Sequence, residues 1–280
     1  MLTIIRKLSK TTLCILAFVL IILGTVFAVV SWQGLHISYY EVESEKVEGN
    51  IRIAHISDLH STWFGDGQED LLFAIEQEAP DIICFTGDIC DDKIPHDGTV
   101  KLIETLGRTY DCYYVTGNHE TYVPEGLDTV KEEIFEENGI TVLDPGSETL
   151  EIDGSRITVC GIDDIEISKY DEWMRQMKEC SDNKDDDIFS VLLSHRPERV
   201  EEYEDCDFDL ILSGHAHGGQ IRIPGICNGI YASNQGFFPD YVGGEYKLEN
   251  ESTMIVSRGL VKNILPRTFN PPELVIIDIT

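Results

Sequence analysis

Five short apolar runs in this 280-residue chain each break off into residues of the kind that hold cations. Ile51–Ser57 runs into Asp58-Leu59-His60, Ile82–Thr86 into Gly87-Asp88-Ile89-Cys90-Asp91, and Cys112–Thr116 into Gly117-Asn118-His119-Glu120. Ile188–Ser194 ends on His195, and Asp209–Ser213 leads into Gly214-His215-Ala216-His217. Short apolar runs bounded by glycine and polar residues read as buried strands, and helical patterns (Gln68–Glu78, Thr99–Leu106, Gly126–Glu137) fall between the first of them. That alternation is the signature of a layered α/β fold. Ligands in open α/β sheets bind beyond the carboxyl ends of the strands. Five strands delivering Asp, Asn or His to that edge therefore restrict the chain to a fold with a metal-binding crevice there. Of eight histidines, five (60, 119, 195, 215, 217) sit at these ends and His55 lies within the first strand.

The second half is richer in strands. Glu148–Ile152 and Arg156–Cys160 flank Asp153-Gly154, a two-residue hairpin signal. Glu245–Leu248, Thr253–Ser257 and Leu274–Ile279 also read as strands. An α/β half followed by a strand-rich half predicts an α/β, four-layer α-β-β-α sandwich of two mixed sheets. The acidic stretch Glu179–Asp187 reads as a solvated loop. The aromatic segment Tyr231–Tyr241 reads as a loop packed on the sheet edge, or as an apolar groove built on Phe237 and Phe238.

The N-terminus carries a different pattern. From Leu13 to Val30 there are 18 residues without a charge, long enough for a hydrocarbon core of roughly 30 Å when continued through Trp32. Arg6, Lys7 and Lys10 precede the run and Glu41, Glu43 and Glu45 follow it, which places the N-terminus in the cytoplasm and the body outside the membrane. The expected organisation is a cytoplasmic stub with a transmembrane signal-anchor over 1–33, a tether over 34–50 and a single domain over 51–280. Val26-Phe27-Ala28 also loosely fits a signal-peptidase site, so cleavage is the competing outcome. The eight cysteines show no CxxC spacing; those in apolar runs read as small buried hydrophobes.

Imidazole plus carboxylate suits Zn-like or harder divalent ions, and without clustered cysteine a thiolate site is excluded. More than four candidate ligands in one crevice imply two metals sharing a carboxylate. Taken singly, each residue has a bland reading: His60 or His195 as a structural histidine, Asn118 as a turn residue, Asp91 and Glu120 as solvated or capping acids. The ordered set is far more specific. Asp58-x-His60, Gly87-Asp88-x-x-Asp91, Gly117-Asn118-His119-Glu120, His195 and Gly214-His215-x-His217 resemble the full signature of the calcineurin-like metallophosphoesterases. Gly218-Gly219-Gln220, Ser257-Arg258-Gly259, Pro266-Arg267 and Pro272-Glu273 resemble a membrane-associated bacterial branch of that family, some of whose members act on nucleotide-sugar lipids.

The resemblance implies one divalent metal on Asp58, His60, Asp88 and His217, and a second on Asp88, Asn118, His195 and His215. It implies His119 as general acid or transition-state stabiliser and Asp91 as the carboxylate orienting it. Asp91 stands where purple acid phosphatases have Tyr, which leaves Mn, Zn or Fe(II) rather than a tyrosinate-iron site. Arg196 is a candidate for substrate phosphate, with a surface ion pair as its alternative.

Charge bears on the choice of function. Residues 1–33 hold three bases and no acid, leaving 18 bases against 51 acids, net −33, in the rest. So acidic a body repels nucleic acid, and a nucleic-acid scaffold is excluded as the main role. The expectation is a membrane-anchored phosphoesterase with two divalent ions, hydrolysing phosphodiester or pyrophosphate bonds by attack of a metal-activated water, lipid-linked or cell-envelope substrates included. The alternatives are a phosphomonoesterase or protein phosphatase, and a non-catalytic metal-binding scaffold.

Overall fold

The computed structural model describes residues 10–143, 145–262 and 267–280, with side chains 11 and 29 left out. Arg6, Lys7 and Pro266 lie outside the described residues. Two six-stranded sheets form the body. The first has the order β1-β14-β2-β3-β4-β5, with β1 (His36–Val42), β2 (Ile51–Ile56), β3 (Ile82–Thr86), β4 (Asp111–Val115), β5 (Thr141–Val142) and β14 (Glu273–Ile279). The second runs β12-β13-β9-β8-β7-β6, with β6 (Gly146–Ile152), β7 (Ser155–Gly161), β8 (Phe189–Leu193), β9 (Leu210–Ser213), β12 (Gly244–Lys247) and β13 (Thr253–Val256). A small hairpin, β10 (Tyr231–Ala232) with β11 (Gly236–Phe237), stands apart from both.

Both sheets are mixed. β2, β3, β4 and β5 run parallel, whereas β14 pairs antiparallel with β2. β7, β8, β9 and β13 run parallel between antiparallel edges β6 and β12. The sheets meet face to face through Ile53, Cys84 and Tyr113 from one and Val159, Val191 and Leu212 from the other. Side chains alternate along a strand, so Ile83 and Phe85 point the opposite way. They pack under α2 (Glu69–Glu78), α3 (Asp97–Leu106) and α4 (Leu127–Thr129, continued by a π-helical stretch Val130–Phe135) through Leu71, Leu102 and Phe135. Past the short α5 (Ile165–Ser168), the second sheet is covered by α6 (Tyr170–Asn183) and α7 (Val200–Glu204), using Trp173, Met177 and Tyr203. The expected α-β-β-α layering is present, and with both faces covered the central strands are apolar throughout.

Two stretches differ from the sequence reading. Residues 36–42, assigned to a tether, form β1, an edge strand parallel to β14 from His36–Glu273 to Val42–Ile279. Its partner lies more than 230 residues away, so no local pattern announces the pairing. Glu179–Asn183, assigned to a solvated loop, is the end of α6, whose Trp173, Met177 and Cys180 share one buried face.

Ahead of the body, α1 (Lys10–Val30) carries exposed apolar side chains such as Phe18, Leu20 and Ile21. Among the described residues no helix is long and apolar enough to cross a membrane. The end of α1 touches the body where the Phe269 N–H donates to the Val30 carbonyl at 2.7 Å.

Candidate metal centre

The carboxyl ends of β2, β3, β4, β8 and β9 open at one edge, and the backbone there is unusual. Asp58, His60, Asp88, His215 and His217 all have φ between 45° and 65°. Non-glycine residues in the left-handed region cost of order 1–3 kcal/mol each and persist only where their surroundings enforce them. Several bonds do so here. Asp58, His60 and Ser61 donate backbone N–H groups to the carbonyls of Gly87, Asp88 and Ile89, each at 3.0 Å, tying the loop after β2 to the loop after β3. The buried Glu120 carboxylate accepts from the N–H groups of Asp88, Ile89, Cys90 and Gly117 at 2.7–3.1 Å. The His215 N–H donates to both Asp58 oxygens at 3.0 and 3.1 Å, crossing from the second sheet to the first. Gly214 permits that crossing, since a Cβ there would overlap Ser57 Oγ and Asp58 Oδ2.

Three groups of potential ligand atoms result, two of which share Asp88. Asp58, His60, Asp88 and His217 offer atoms within 4.8 Å of one another, and so do Asp88, His195 and His215, and His60, Asp91 and His119. Asp88 Oδ2 belongs to the first two, 3.7 Å from His60 Nε2 and 3.2 Å from His195 Nε2. Its other oxygen accepts the His119 N–H at 2.8 Å. The tautomers are set from behind. His195 Nδ1 donates to the Thr86 carbonyl at 2.6 Å, which leaves the neutral ring's Nε2 lone pair facing Asp88. His215 turns Nε2 to the Asn234 carbonyl oxygen at 2.9 Å and places Nδ1 3.2 Å from His195 Nε2.

His60 Nε2, Asp88 Oδ2, Asn118 Oδ1, His119 Nδ1 and His217 Nδ1 are buried with no hydrogen-bond partner. An unpaired buried polar atom costs about 1–3 kcal/mol, and five beside this cluster are what a cation site leaves when the protein alone is considered. Nitrogen and oxygen donors with a shared carboxylate fit two divalent ions.

Protonation follows the same logic. Burial alone would lower the His195 imidazole, but Asp88 and Asp58 outweigh it and raise it to about 10. Burial would raise Asp88, but His195, His60 and His119 hold it well below the usual carboxylate range. Burial, then the neighbouring His195 and Arg196 charges, push His215 down to about 3. Burial raises Asp58. Without cations, protons on imidazole balance the carboxylates.

The remaining site residues divide. His119 lies over the cluster with its side chain one-third exposed, its ring centroid 4.5 Å from that of His60. Its Nδ1 lies 3.6 Å from Asp92 Oδ1, and a carboxylate oxygen of Asp91 lies within 4.8 Å of one of its ring nitrogens. Asp91 Oδ1 accepts from the N–H groups of Lys93 and Ile94, which commits that carboxylate to its own turn. Its Oδ2 faces His60 Nδ1 at 3.4 Å, and that contact, ahead of the turn bonds, lowers Asp91 to about 2. Arg196, expected at substrate phosphate or in a surface pair, is buried instead. It forks onto Asp164 at 2.6 and 2.8 Å, reaches Glu166 at 2.9 Å and donates to Asn234 at 3.0 Å. With both carboxylates engaged, its guanidinium supports the His215 side of the site rather than facing substrate. The sequence reading missed Asp92, Asp164 and Asn234. Asp92 was hidden beside Asp91, and Asn234 inside the aromatic segment.

The comparisons with known proteins agree with the geometry. The sequence model for calcineurin-like phosphoesterases matches residues 51–219, and the chain belongs to that family. A Bacillus subtilis relative, the uncharacterized metallophosphoesterase YkuE, is 30% identical over 81% of this chain and 76% of its own length. The Chlamydia muridarum UDP-2,3-diacylglucosamine pyrophosphatase LpxG is 25% identical over 81% of this chain and 83% of its own. Among solved structures, Haemophilus influenzae NAD nucleotidase superposes with a TM-score of 0.50 at 18% identity, over 79% of this chain and 46% of that one, a likeness of fold. The chain is therefore a metal-dependent phosphoesterase of a family that works with a dinuclear metal centre, and its two Asp/His clusters are the candidates for it.

Proposed function

We propose that this chain is a membrane-anchored phosphoesterase that hydrolyses phosphodiester or pyrophosphate bonds, with lipid-linked or cell-envelope substrates as its class. The observation that carries the reading is Asp88 Oδ2, buried, unpartnered and shared between two clusters. In this assignment Asp58, His60, Asp88 and His217 hold one divalent ion, and Asp88, Asn118, His195 and His215 the other. When bound, two such ions supply positive charge for the phosphoryl oxygens and lower the pKa of the attacking water.

The protein's own groups do the rest. Water attacks phosphorus as the bond to the leaving oxygen breaks, that oxygen takes a proton from His119, and the proton lost by the attacking water passes to solvent. Asp92 Oδ1 lies 3.6 Å from His119 Nδ1, beyond a direct hydrogen bond, and Nε2 is the nitrogen assigned to donate. Glu120 and Gly214 keep the strand-end loops in register beneath.

The anchor rests on the uncharged run 13–30 with bases before it and acids after it, and on the exposed side chains of α1. In this reading the chain is single-pass in the cell membrane with its body outside. The lipid-linked class rests on the 25% identity to LpxG, whose name gives a pyrophosphatase acting on a diacylated nucleotide sugar.

Full-length protein loaded in turn with Mn, Zn and Fe(II) is offered bis-p-nitrophenyl phosphate, p-nitrophenyl phosphate and a nucleotide-sugar lipid. The expected result is faster release from diester or pyrophosphate than from monoester, abolished in Asp88→Asn. Preference for the monoester would favour the phosphomonoesterase alternative, and no turnover with any metal would remove the catalytic one. Alkaline carbonate extraction tests the anchor, which fails if unprocessed protein enters the soluble fraction.

A further inference from the structure

Large apolar side chains left exposed outside α1 are not spread evenly. Among the described residues there are fourteen, and seven of them fall within 221–238 or at Phe269. Ile226, Phe237 and Phe238 are the most open, at 83%, 73% and 72%. Stranding such chains in water over a small area is unfavourable and marks a contact surface.

The segment is one braced unit rather than a loose loop. Ile223 and Cys227 bridge each other, Arg222 N–H donates to the Thr268 carbonyl at 2.9 Å, and Phe238 N–H donates to the Ile230 carbonyl at 2.9 Å. Next along the chain, Phe269 N–H caps the Val30 carbonyl, so the patch is continuous with the end of the apolar helix α1. Beside Ile223 and Ile226 lies a cavity of about 430 Å³ that Arg222 and Arg258 also line. Arg258 is paired with Glu273 at 2.6 Å, whereas Arg222 reaches the uncharged Asn228. The cationic Arg222 among apolar side chains, on a segment 221–238 that holds no Asp or Glu, matches an acyl layer topped by phosphate headgroups.

The patch is also tied to the chemistry. Asn234, at the turn of the β10–β11 hairpin, bonds His215 and Arg196. Phe237 is three residues further on, so its Cα is within about 11 Å of that of Asn234.

We propose that residues 221–238 with Phe269 are a second membrane-contact surface, built into the catalytic body, which seats the metal cluster at the lipid–water interface. The proposal rests on the anchored reading and adds that the body lies on the bilayer rather than standing off from it. The site then faces phosphoesters held in the membrane surface.

The test uses full-length protein in phosphatidylcholine–phosphatidylglycerol vesicles with brominated acyl chains, read by tryptophan fluorescence. Trp32, exposed just past α1, reports the anchor through the bromolipid quenching lost in Trp32→Phe. Phe238→Trp reports the patch. The expected result is added emission that bromolipid quenches and aqueous iodide does not, with the reverse for a reference Tyr170→Trp on α6. Quenching at Trp32 with an iodide-quenched, bromolipid-insensitive Phe238→Trp overturns the proposal and spares the anchor. Loss of both signals overturns both. A Phe238→Trp shielded from iodide and bromolipid alike overturns it in favour of a protein partner or a second copy on the patch.

Discussion

At the scale of single residues, three positions separate metal holding from proton transfer. Asp88→Asn keeps the oxygen that accepts the His119 N–H but removes the charge shared by both clusters. The folded protein is expected to lose bound metal, measured by elemental analysis, and to lose hydrolysis with it. His119→Ala is expected to leave metal content unchanged while lowering kcat by about 10²–10⁴ on poor leaving groups, and less on p-nitrophenolate, which needs no proton. Equal losses on both would remove its role as donor. The Asp91 carboxylate lies nearest His60 Nδ1, at 3.4 Å, so Asp91→Asn is expected to weaken metal binding by about 10–100-fold with a smaller change in kcat at saturating metal. The candidate ligands were legible in the sequence because strand ends are local and Asp, Asn and His announce their chemistry. The partners that hold them were not. Asp92 and Asp91 are neighbours of one type, and only the turn taken by Lys93 and Ile94 decides which carboxylate meets which imidazole.

At the scale of elements, the strand-end loops are held by groups with no ligand role. Glu120 satisfies four backbone N–H groups from two loops, a service one amide oxygen cannot give. Glu120→Gln is expected to cost about 3 kcal/mol of stability, read as a fall in Tm of the metal-free protein. Gly214→Ala drives a methyl group into Ser57 and Asp58 and is expected to reduce metal content while leaving most of the fold intact by circular dichroism. Unchanged metal content would show that the loop after β9 can yield. The central strands and α2 were readable because burial on both faces, or on one helical stripe, imposes a period on the sequence. β1 was not, because His36–Val42 is half-exposed and its pairing depends on β14. The α6 stripe, Trp173, Met177 and Cys180, does have helical spacing, but the charges between them read as a solvated segment.

At the scale of the whole molecule, charge and metal are coupled. His195 is raised to about 10, so the metal-free protein carries that proton at neutral pH, and a ligand nitrogen must give it up. Metal binding is therefore expected to release at least one proton and to tighten by up to about tenfold per pH unit as pH rises towards 10. Calorimetry in two buffers of different ionisation enthalpy measures the release; identical heats would refute it. A body of net −33 that acts on phosphate needs those cations to reverse its field locally.

The placement of β14 has a consequence for how the molecule comes into being. This strand lies between β1 and β2, parallel to one and antiparallel to the other, yet it is formed by residues 273–279. The first sheet therefore stays split, with β1 unable to find its place, until residues 273–279 have been made. Closure of the first sheet is timed by the arrival of β14 rather than by the strands made before it.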